Sequence, residues 1–351
     1  MKINLEELNK RVEQKLITKQ KHPEFPIWIY NYSQSCQFSK AWDEYTMMCR
    51  GLILDEAGNV ISRPFRKFFN LDELESVGLK LPNEPFEVRE KYDGSLGISY
   101  WWNGEIYLAT RGSFISEQAI MGTKLLNQRD KMKYPLSSRW TYLFEIIYPE
   151  NRIVVDYKGE SKLVLLAIRT VDDGNMSAEV ALENIAEFCG FEVAKKIDAD
   201  DFTKLKELAK PNSEGFVIKF ESGFRVKVKF DEYVRLHRIM TGVNARRVWE
   251  VLRAGDNLNE FLQGVPEEFE KWITDQKNLL MGQYKEVENK ALDIFDNLRA
   301  IEPRKNYALA VMETNKELSS ILFKMKDEQN YAELIWKMIK PESTAPFKVE
   351  I

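Results

Sequence analysis

Lysines and carboxylates, not histidines or cysteines, are the residues best spaced for chemistry. Lys91-Tyr92-Asp93-Gly94-Ser95 lies between two segments of β-type alternation, residues 86–90 and 96–101. It reads in two ways. Asp-Gly is ordinary hairpin-turn chemistry, which would leave Lys91 as a solvated strand end. Alternatively, Lys91 stands at the mouth of a pocket between two sheets. There neighbouring cations and desolvation would lower its pKa until the neutral amine can attack phosphorus. An amine nucleophile permits covalent nucleotidyl transfer without histidine.

Further groups follow the order one active site would use. Glu214-Gly215 puts a carboxylate immediately before the apolar segment 216–218. In Arg225-Val226-Lys227-Val228-Lys229 the period of two sends Lys227 and Lys229 to one face and the valines to the other. Two ammonium groups on one face can grip a polyphosphate and neutralise charge on leaving pyrophosphate. A lysine-bearing edge strand has the same pattern. Cys49-Arg50-Gly51 opens another strand, and residues 63–70 (RPFRKFFN) interleave cations with aromatics. Guanidinium forks suit ribose and phosphate oxygens, and aromatic faces suit bases; a basic surface loop pinned by buried phenylalanines gives the same string. Thr110-Arg111-Gly112-Ser113 adds a guanidinium. Glu145 stands inside the apolar run 144–147. A carboxylate there pairs with a structural cation or faces a pocket, holding a sugar hydroxyl or a hydrated metal. Glu145 and Glu214 together supply the one or two carboxylates a hydrated magnesium takes.

Other chemistries lack their residues. Two histidines, His22 and His237, exclude a multi-histidine metal site and weaken any Ser/His or Cys/His nucleophile; both read as surface or structural residues. Cys36, Cys49 and Cys189 are odd in number and far apart, so neither a disulfide framework nor a thiolate zinc site is expected. Neither GxxxxGK[ST] nor GxGxxG occurs. A net charge of −4 gives no bulk attraction to nucleic acid, so phosphate binding must come from local clusters. The tryptophans, Trp101, Trp102 and Trp249 among them, read as packing.

The elements that must position these groups divide the 351 residues into two expected domains, 1–240 and 241–351. With 44% hydrophobic and 12% aromatic residues the chain can bury a sizeable core. Residues 25–240 read as α+β with mostly antiparallel sheets. Short strands are expected at PIWIYNY, RGLILDE, NVISRPF, PFEVREKY, LGISYWW, EIYLAT, TYLFEII, RIVVDY, KLVLLAI, GFVIKF and FRVKVKF. Turns fall at 57–59, 103–104 and 222–223, and helical patterns at 114–128 and 178–190. From 244 to 340 apolar residues recur at helical spacing, as in Leu279, Leu280, Tyr284, Val287 and Leu292. The tail is therefore expected to be all-helical, punctuated by Pro266, Pro303 and residues 341–346. Residues 1–16 read as a charged amphipathic helix rather than an export signal, and no apolar run is long enough for a bilayer.

The ordered series Arg50-Gly, Lys67-Phe-Phe-Asn, Lys91-x-Asp-Gly-Ser, Arg111-Gly-Ser, Phe-Glu145, Glu214-Gly and Lys227-x-Lys229 resembles the covalent nucleotidyltransferase superfamily of polynucleotide ligases and capping enzymes. CRGLILDE, RKFFNL, KYDGSL, RGSFISEQAIM, NRIVVDY and YVRLH resemble its phage-type RNA ligase 1 family, the ATP-dependent tRNA-repair ligases. The resemblance covers about residues 50–240. It implies an antiparallel-sheet nucleotidyltransferase domain followed by a helical domain for RNA recognition. It also implies that Lys91 takes AMP from ATP, passes it to an RNA 5′-phosphate, and leaves the 3′-hydroxyl to displace it. Arg50 would contact the ribose and serve later steps, Lys67 the outer phosphates, and Lys227 and Lys229 the reacting phosphates. Glu145 would hold ribose or a metal-bound water, Glu214 a hydrated magnesium that manganese can replace, and Tyr233 lies near the nucleotide. Phe69, Gly94 and Arg111 complete the ATP set. Arg111 stands where the family pattern has lysine, keeping the charge with a different geometry. The implied partner is RNA with 5′-phosphate and 3′-hydroxyl ends, tRNA foremost, joined by a cytoplasmic monomer with no membrane attachment, phage-encoded or intracellular. A DNA ligase or capping guanylyltransferase would share the lysine motif but usually appends an OB-fold, against the helical tail. A catalytically silent RNA-end-binding protein is the remaining alternative.

Overall fold

The computed structural model describes residues 2–128, 136–172, 182–262, 265 and 267–344. The chain divides into two compact units, Met1–Arg235 and Leu236–Ile351.

The first unit holds three sheets. One is an antiparallel run of β1 (Ile17–Lys21), β2 (Ile27–Tyr32), β3 (Arg50–Asp55) and β4 (Val60–Ser62). The later strands are β5 (Phe69–Asn70), β6 (Phe86–Lys91), β7 (Ser95–Trp102), β8 (Glu105–Ala109), β9 (Trp140–Ile147), β10 (Lys162–Thr170), β11 (Glu192–Val193), β12 (Lys196–Ile197), β13 (Gly215–Phe220) and β14 (Arg225–Lys229). They form a second sheet in the order β11-β10-β9-β7-β8 and a third in the order β12-β6-β13-β14-β5. Among the described residues only β10/β11 and β5/β14 are parallel pairs. The turns expected at 57–59, 103–104 and 222–223 close the hairpins β3/β4, β7/β8 and β13/β14.

Alternation along β9 decides what faces the site. Tyr142, Phe144 and Ile146 are buried in one cluster with Leu126 of the helix Glu117–Asn127 and Leu182, Ile185 and Ala186 of the helix Leu182–Cys189. Burial of each such side chain stabilises by roughly 1.5–3 kcal/mol. Leu143, Glu145 and Ile147 consequently point to the opposite face. The first helix, Leu5–Glu13, starts where the Asn4 side chain accepts the Glu6 and Glu7 amides, a cap worth about 1 kcal/mol.

One reading of the strands is corrected. RIVVDY is not a strand: residues 152–157 run as a loop whose Val154 and Val155 amides donate to a side chain instead of a ladder. Of the two readings of residues 91–95, the hairpin is the one set aside. β6 and β7 belong to different sheets, and residues 92–94 cross between them. Of the helix expected at 178–190, residues 178–181 lie outside the described residues, as do Pro266 and residues 345–346.

In the second unit the described residues form helices and no strand, including Ala245–Ala254, Glu267–Leu298, Arg304–Thr314, Ser319–Lys326 and Ala332–Met338. Tyr307, Val311, Ile321, Leu322 and Ile335 close around Ala291. The Trp249 indole donates to the Trp336 carbonyl at 2.8 Å. Leu280 is buried, whereas Leu279 and Leu292 are exposed, so the apolar face of the long helix is narrower than the sequence suggests. No described helix is long and apolar enough to cross a membrane.

Candidate active site

Strand register assembles one half of the site. Across β6, β13 and β14, Lys91 pairs with Gly215 and Gly215 with Lys229, which sets the two lysines on either side of the strand that Glu214 precedes. The Glu214 carboxylate, 2% exposed, lies 2.8 Å from the Lys91 ammonium through one oxygen and 2.8 Å from the Lys229 ammonium through the other. Gly215 permits this close strand entry. Its φ is +149°, and a Cβ there would lie 2.0 Å from the Val228 carbonyl oxygen. Burial disfavours the Glu214 anion, but Lys91 and Lys229 outweigh it and hold its pKa below the usual glutamate value.

The crossing at residues 92–94 brings in the other carboxylates. Asp93 is buried. Its carboxylate accepts the Val154 and Val155 amides at 2.9 Å each and the Tyr233 hydroxyl at 2.7 Å, while its own amide donates to the Tyr157 hydroxyl at 2.7 Å. The Gly94 amide donates to Glu145 at 3.0 Å; a Cβ on Gly94 would lie 2.6 Å from the Ile146 carbonyl oxygen. Burial, reinforced by Glu214 and Asp93 against Lys91 and Arg50, pushes the Glu145 carboxyl up to about 7.

Lys91 therefore differs from expectation. Burial alone would lower its pKa, but Glu214, Glu145 and Asp93 raise it above the ordinary lysine value, so the free protein holds a charged ammonium. The depressed lysines are Lys227, brought down to about 7 by burial and then by Lys229, Lys67, Lys91 and Arg50, and Lys67, lowered chiefly by burial.

The cationic half gathers around Tyr32 at the end of β2. Arg111 donates to the Tyr32 hydroxyl at 3.3 Å. Burial raises the phenol, but Arg50, Lys67 and Arg111 bring it below the ordinary tyrosine value. Arg50 starts β3 with its guanidinium 5.3 Å from the Phe68 ring, and its buried Nη1 has no hydrogen-bond partner among the described residues. Lys67 sits 4.9 Å from the ring of buried Phe69. Lys227 couples electrically to Lys91, Lys67 and Arg50, which joins the two halves.

All the candidate catalytic, ATP-binding and metal residues read from the sequence fall in the first unit. Tyr233 reaches the site through Asp93, with the Lys229 ammonium 4.9 Å above its ring. His22 is structural: its Nδ1 accepts the Glu24 and Phe25 amides. Sequence reasoning missed Tyr32 and Trp42, and it gave residues 154–155 as strand, although their amides fix Asp93. No group of three or more His, Cys, Asp or Glu among the described residues could hold a metal ion. Glu145 and Glu214 are hard oxygen donors flanking Lys91 and fit a hydrated divalent cation that also takes substrate phosphates.

Residues 48–233 match the family model described as RNA ligase. The chain is 33% identical over 198 residues to a protein of Thermovibrio ammonificans provisionally named RNA ligase, an alignment covering 53% of this chain and 51% of that protein. It is 24% identical over 371 aligned positions to the RNA ligase of Rhodothermus phage RM378, covering 82% of each. It is 28% identical over 259 positions to RNA ligase 1 of Bacteriophage TS2126, covering 68% of this chain and 64% of that one. The chain thus spans about half the length of the first of these relatives. The family match takes in more than half of the chain and contains Arg50, Lys91, Glu145, Glu214 and both strand lysines, so the chain belongs to the RNA ligase family, the phage-type group that its motif series resembles.

Proposed function

We propose that this chain is an ATP-dependent RNA ligase that joins an RNA 5′-phosphate to a 3′-hydroxyl through a lysyl-AMP intermediate. The observation that carries the reading is that Lys91 meets the carboxylates Glu214, Glu145 and Asp93 while Lys227 beside it gathers the cations Lys229, Lys67 and Arg50, the Arg50 Nη1 having no hydrogen-bond partner among the described residues. Such an excess of half-buried cations is stabilised by a polyanion, and the lysine beside it is the available nucleophile.

In this reading the Lys91 amine forms a bond to the α-phosphorus of ATP while the bond to pyrophosphate breaks. The lysyl-AMP bond is then exchanged for a bond to the RNA 5′-phosphate oxygen, and the RNA 3′-hydroxyl displaces AMP to close the strand. Arg50, Lys67, Lys227 and Lys229 hold the phosphates, with Arg111 and Phe69 completing the pocket. Asp93, anchored by Tyr233 and the 154–155 amides, and Gly94, bonded to Glu145, fix where the Lys91 stem ends. Glu145 and Glu214 would hold a hydrated magnesium or manganese ion, which when bound neutralises phosphate charge. With the Lys91 proton held against Glu214, that proton must pass to solvent before attack, and Glu214, if it also held a divalent cation, would hold the ammonium less strongly. The helical unit is assigned to recognition of folded RNA, and the setting to tRNA repair by a cytoplasmic monomer.

The test is incubation with a divalent cation and α-labelled ATP, then GTP, followed by denaturation. Acid-labile label from ATP alone, with sealing of 5′-phosphorylated RNA, is the expected result. Label from GTP points to capping chemistry. No label, in protein free of bound AMP, points to a silent RNA-end binder.

A further inference from the structure

Trp42 belongs to none of the motifs, yet it completes a three-ring cage around one of the pocket cations. The Lys67 ammonium lies 5.3 Å from the Tyr32 ring, 5.1 Å from the Trp42 ring and 4.9 Å from the Phe69 ring. The rings brace one another edge to face: Tyr32 and Trp42 at 5.1 Å and 81°, Trp42 and Phe69 at 5.4 Å and 78°. No carboxylate lies within ion-pair distance of Lys67 among the described residues, Glu73 acting on it only from further away, so the ring faces are what touch its charge.

The backbone on both sides of Trp42 is fastened. The Ala41 amide donates to the Cys36 carbonyl at 3.1 Å, and the Ala41 carbonyl accepts the Cys36 thiol at 3.3 Å and the Thr46 hydroxyl at 3.1 Å. Asp43 caps the helix Glu44–Met48 through the Thr46 amide at 2.7 Å and takes the Arg11 guanidinium at 2.6 Å. The Lys67 amide donates to the Met47 carbonyl, at the end of that helix, at 2.7 Å. Trp42 and Lys67 are therefore hung from one short frame. Trp42 is only half-buried, so core packing does not account for this degree of fixing.

We infer that Trp42 is a positioning residue for the triphosphate, holding Lys67 where it meets the outer phosphates of ATP. This rests on the ligase reading above. Because pyrophosphate leaves in the first step, the cage acts only there; sealing of RNA already carrying a 5′-adenylate needs no outer phosphate. A cation held by three faces loses its aim when one face is removed, and a phenyl ring restores that face, whereas bulk at the position is irrelevant.

The experiment measures three rates on Trp42→Ala, Trp42→Phe and the parent: self-adenylylation against ATP concentration, its limiting rate at saturation, and sealing of pre-adenylylated RNA. Trp42→Ala should raise KM for ATP about tenfold or more, with the limiting rate changed less than about threefold, and Trp42→Phe should recover most of the loss. Sealing of pre-adenylylated RNA should continue in Trp42→Ala. Equal loss in adenylylation and in that sealing would overturn the inference in favour of a general structural role, as would an unchanged KM in favour of no role. A parent that takes no label from ATP would instead overturn the ligase reading itself.

Discussion

The Lys91 ammonium and the Glu214 carboxylate form an ion pair at 2.8 Å inside the first unit. The residue proposed as nucleophile is thus stored in its protonated form, and its partner is one of two carboxylates proposed to meet the metal. Loading of the site and release of the Lys91 proton are consequently coupled through one side chain.

Replacing Lys91 separates chemistry from stability. Lys91→Ala should abolish label from ATP, and it should also destabilise by roughly 1–3 kcal/mol, because Glu214 keeps only Lys229 as counter-charge. Lys91→Arg keeps the charge, so it should lose the label while unfolding in urea near the parent midpoint. Labelling retained in either variant would move the nucleophile elsewhere.

Gly94→Ala should cripple the first step more than its size suggests. The added Cβ meets the Ile146 carbonyl oxygen at 2.6 Å, and backbone cannot swing aside, so the amide is pushed off Glu145. Adenylylation should fall by about tenfold or more. A time course with labelled ATP reads this, and a rate equal to the parent's would show the amide contact to be dispensable.

Titration of Lys227 should appear on nucleotide binding. Burial and four neighbouring cations hold it near 7 rather than 10.5. The unfolded chain keeps that proton to the ordinary value while the folded chain releases it near 7. Its destabilising contribution is therefore complete below about 7 and fades as pH rises from there toward 10.5. A bound polyphosphate reverses the local field, so at about pH 8 ATP binding should take up about one proton. Calorimetry in two buffers of different ionisation heat measures the uptake; Lys227→Arg, always charged, should show much less, and equal uptake would reassign the group.

Tyr233→Phe removes one of three hydrogen bonds to the Asp93 carboxylate and leaves the two amides of residues 154 and 155. The expected cost is about 1–2 kcal/mol in chemical denaturation, with adenylylation slowed but present. Complete loss of labelling in folded protein would mean that Tyr233 acts on the nucleotide directly.

Period-two alternation was enough to place Lys227 and Lys229 on one face, because valines 226 and 228 have a core to enter and the lysines do not. Glu145 declared itself as a carboxylate in an apolar strand. What local pattern could not supply was partnership across the chain. Asp93-Gly94 carries hairpin chemistry, but β6 finds its neighbour in β13, far along the sequence, so of the two readings the segment follows the one with a passage between sheets. The Lys91 shift was misjudged for the same reason: the cations are conspicuous along the chain, whereas Asp93, Glu145 and Glu214 come together only in three dimensions. The valines of RIVVDY looked like a strand because side chains advertise burial, while the destination of their amides, the Asp93 carboxylate, leaves no mark on the string.

The passage at residues 92–94 carries one more implication. It ties the third sheet to the second directly beside the Lys91 amine proposed as nucleophile, and a slip of one residue between β6 and β13 would turn Lys91 to the opposite face, away from Glu214. Misaligned molecules would then be compact yet unable to capture AMP. The labelled fraction of a refolded sample therefore serves as a gauge of how many chains have zipped their strands in the native alignment.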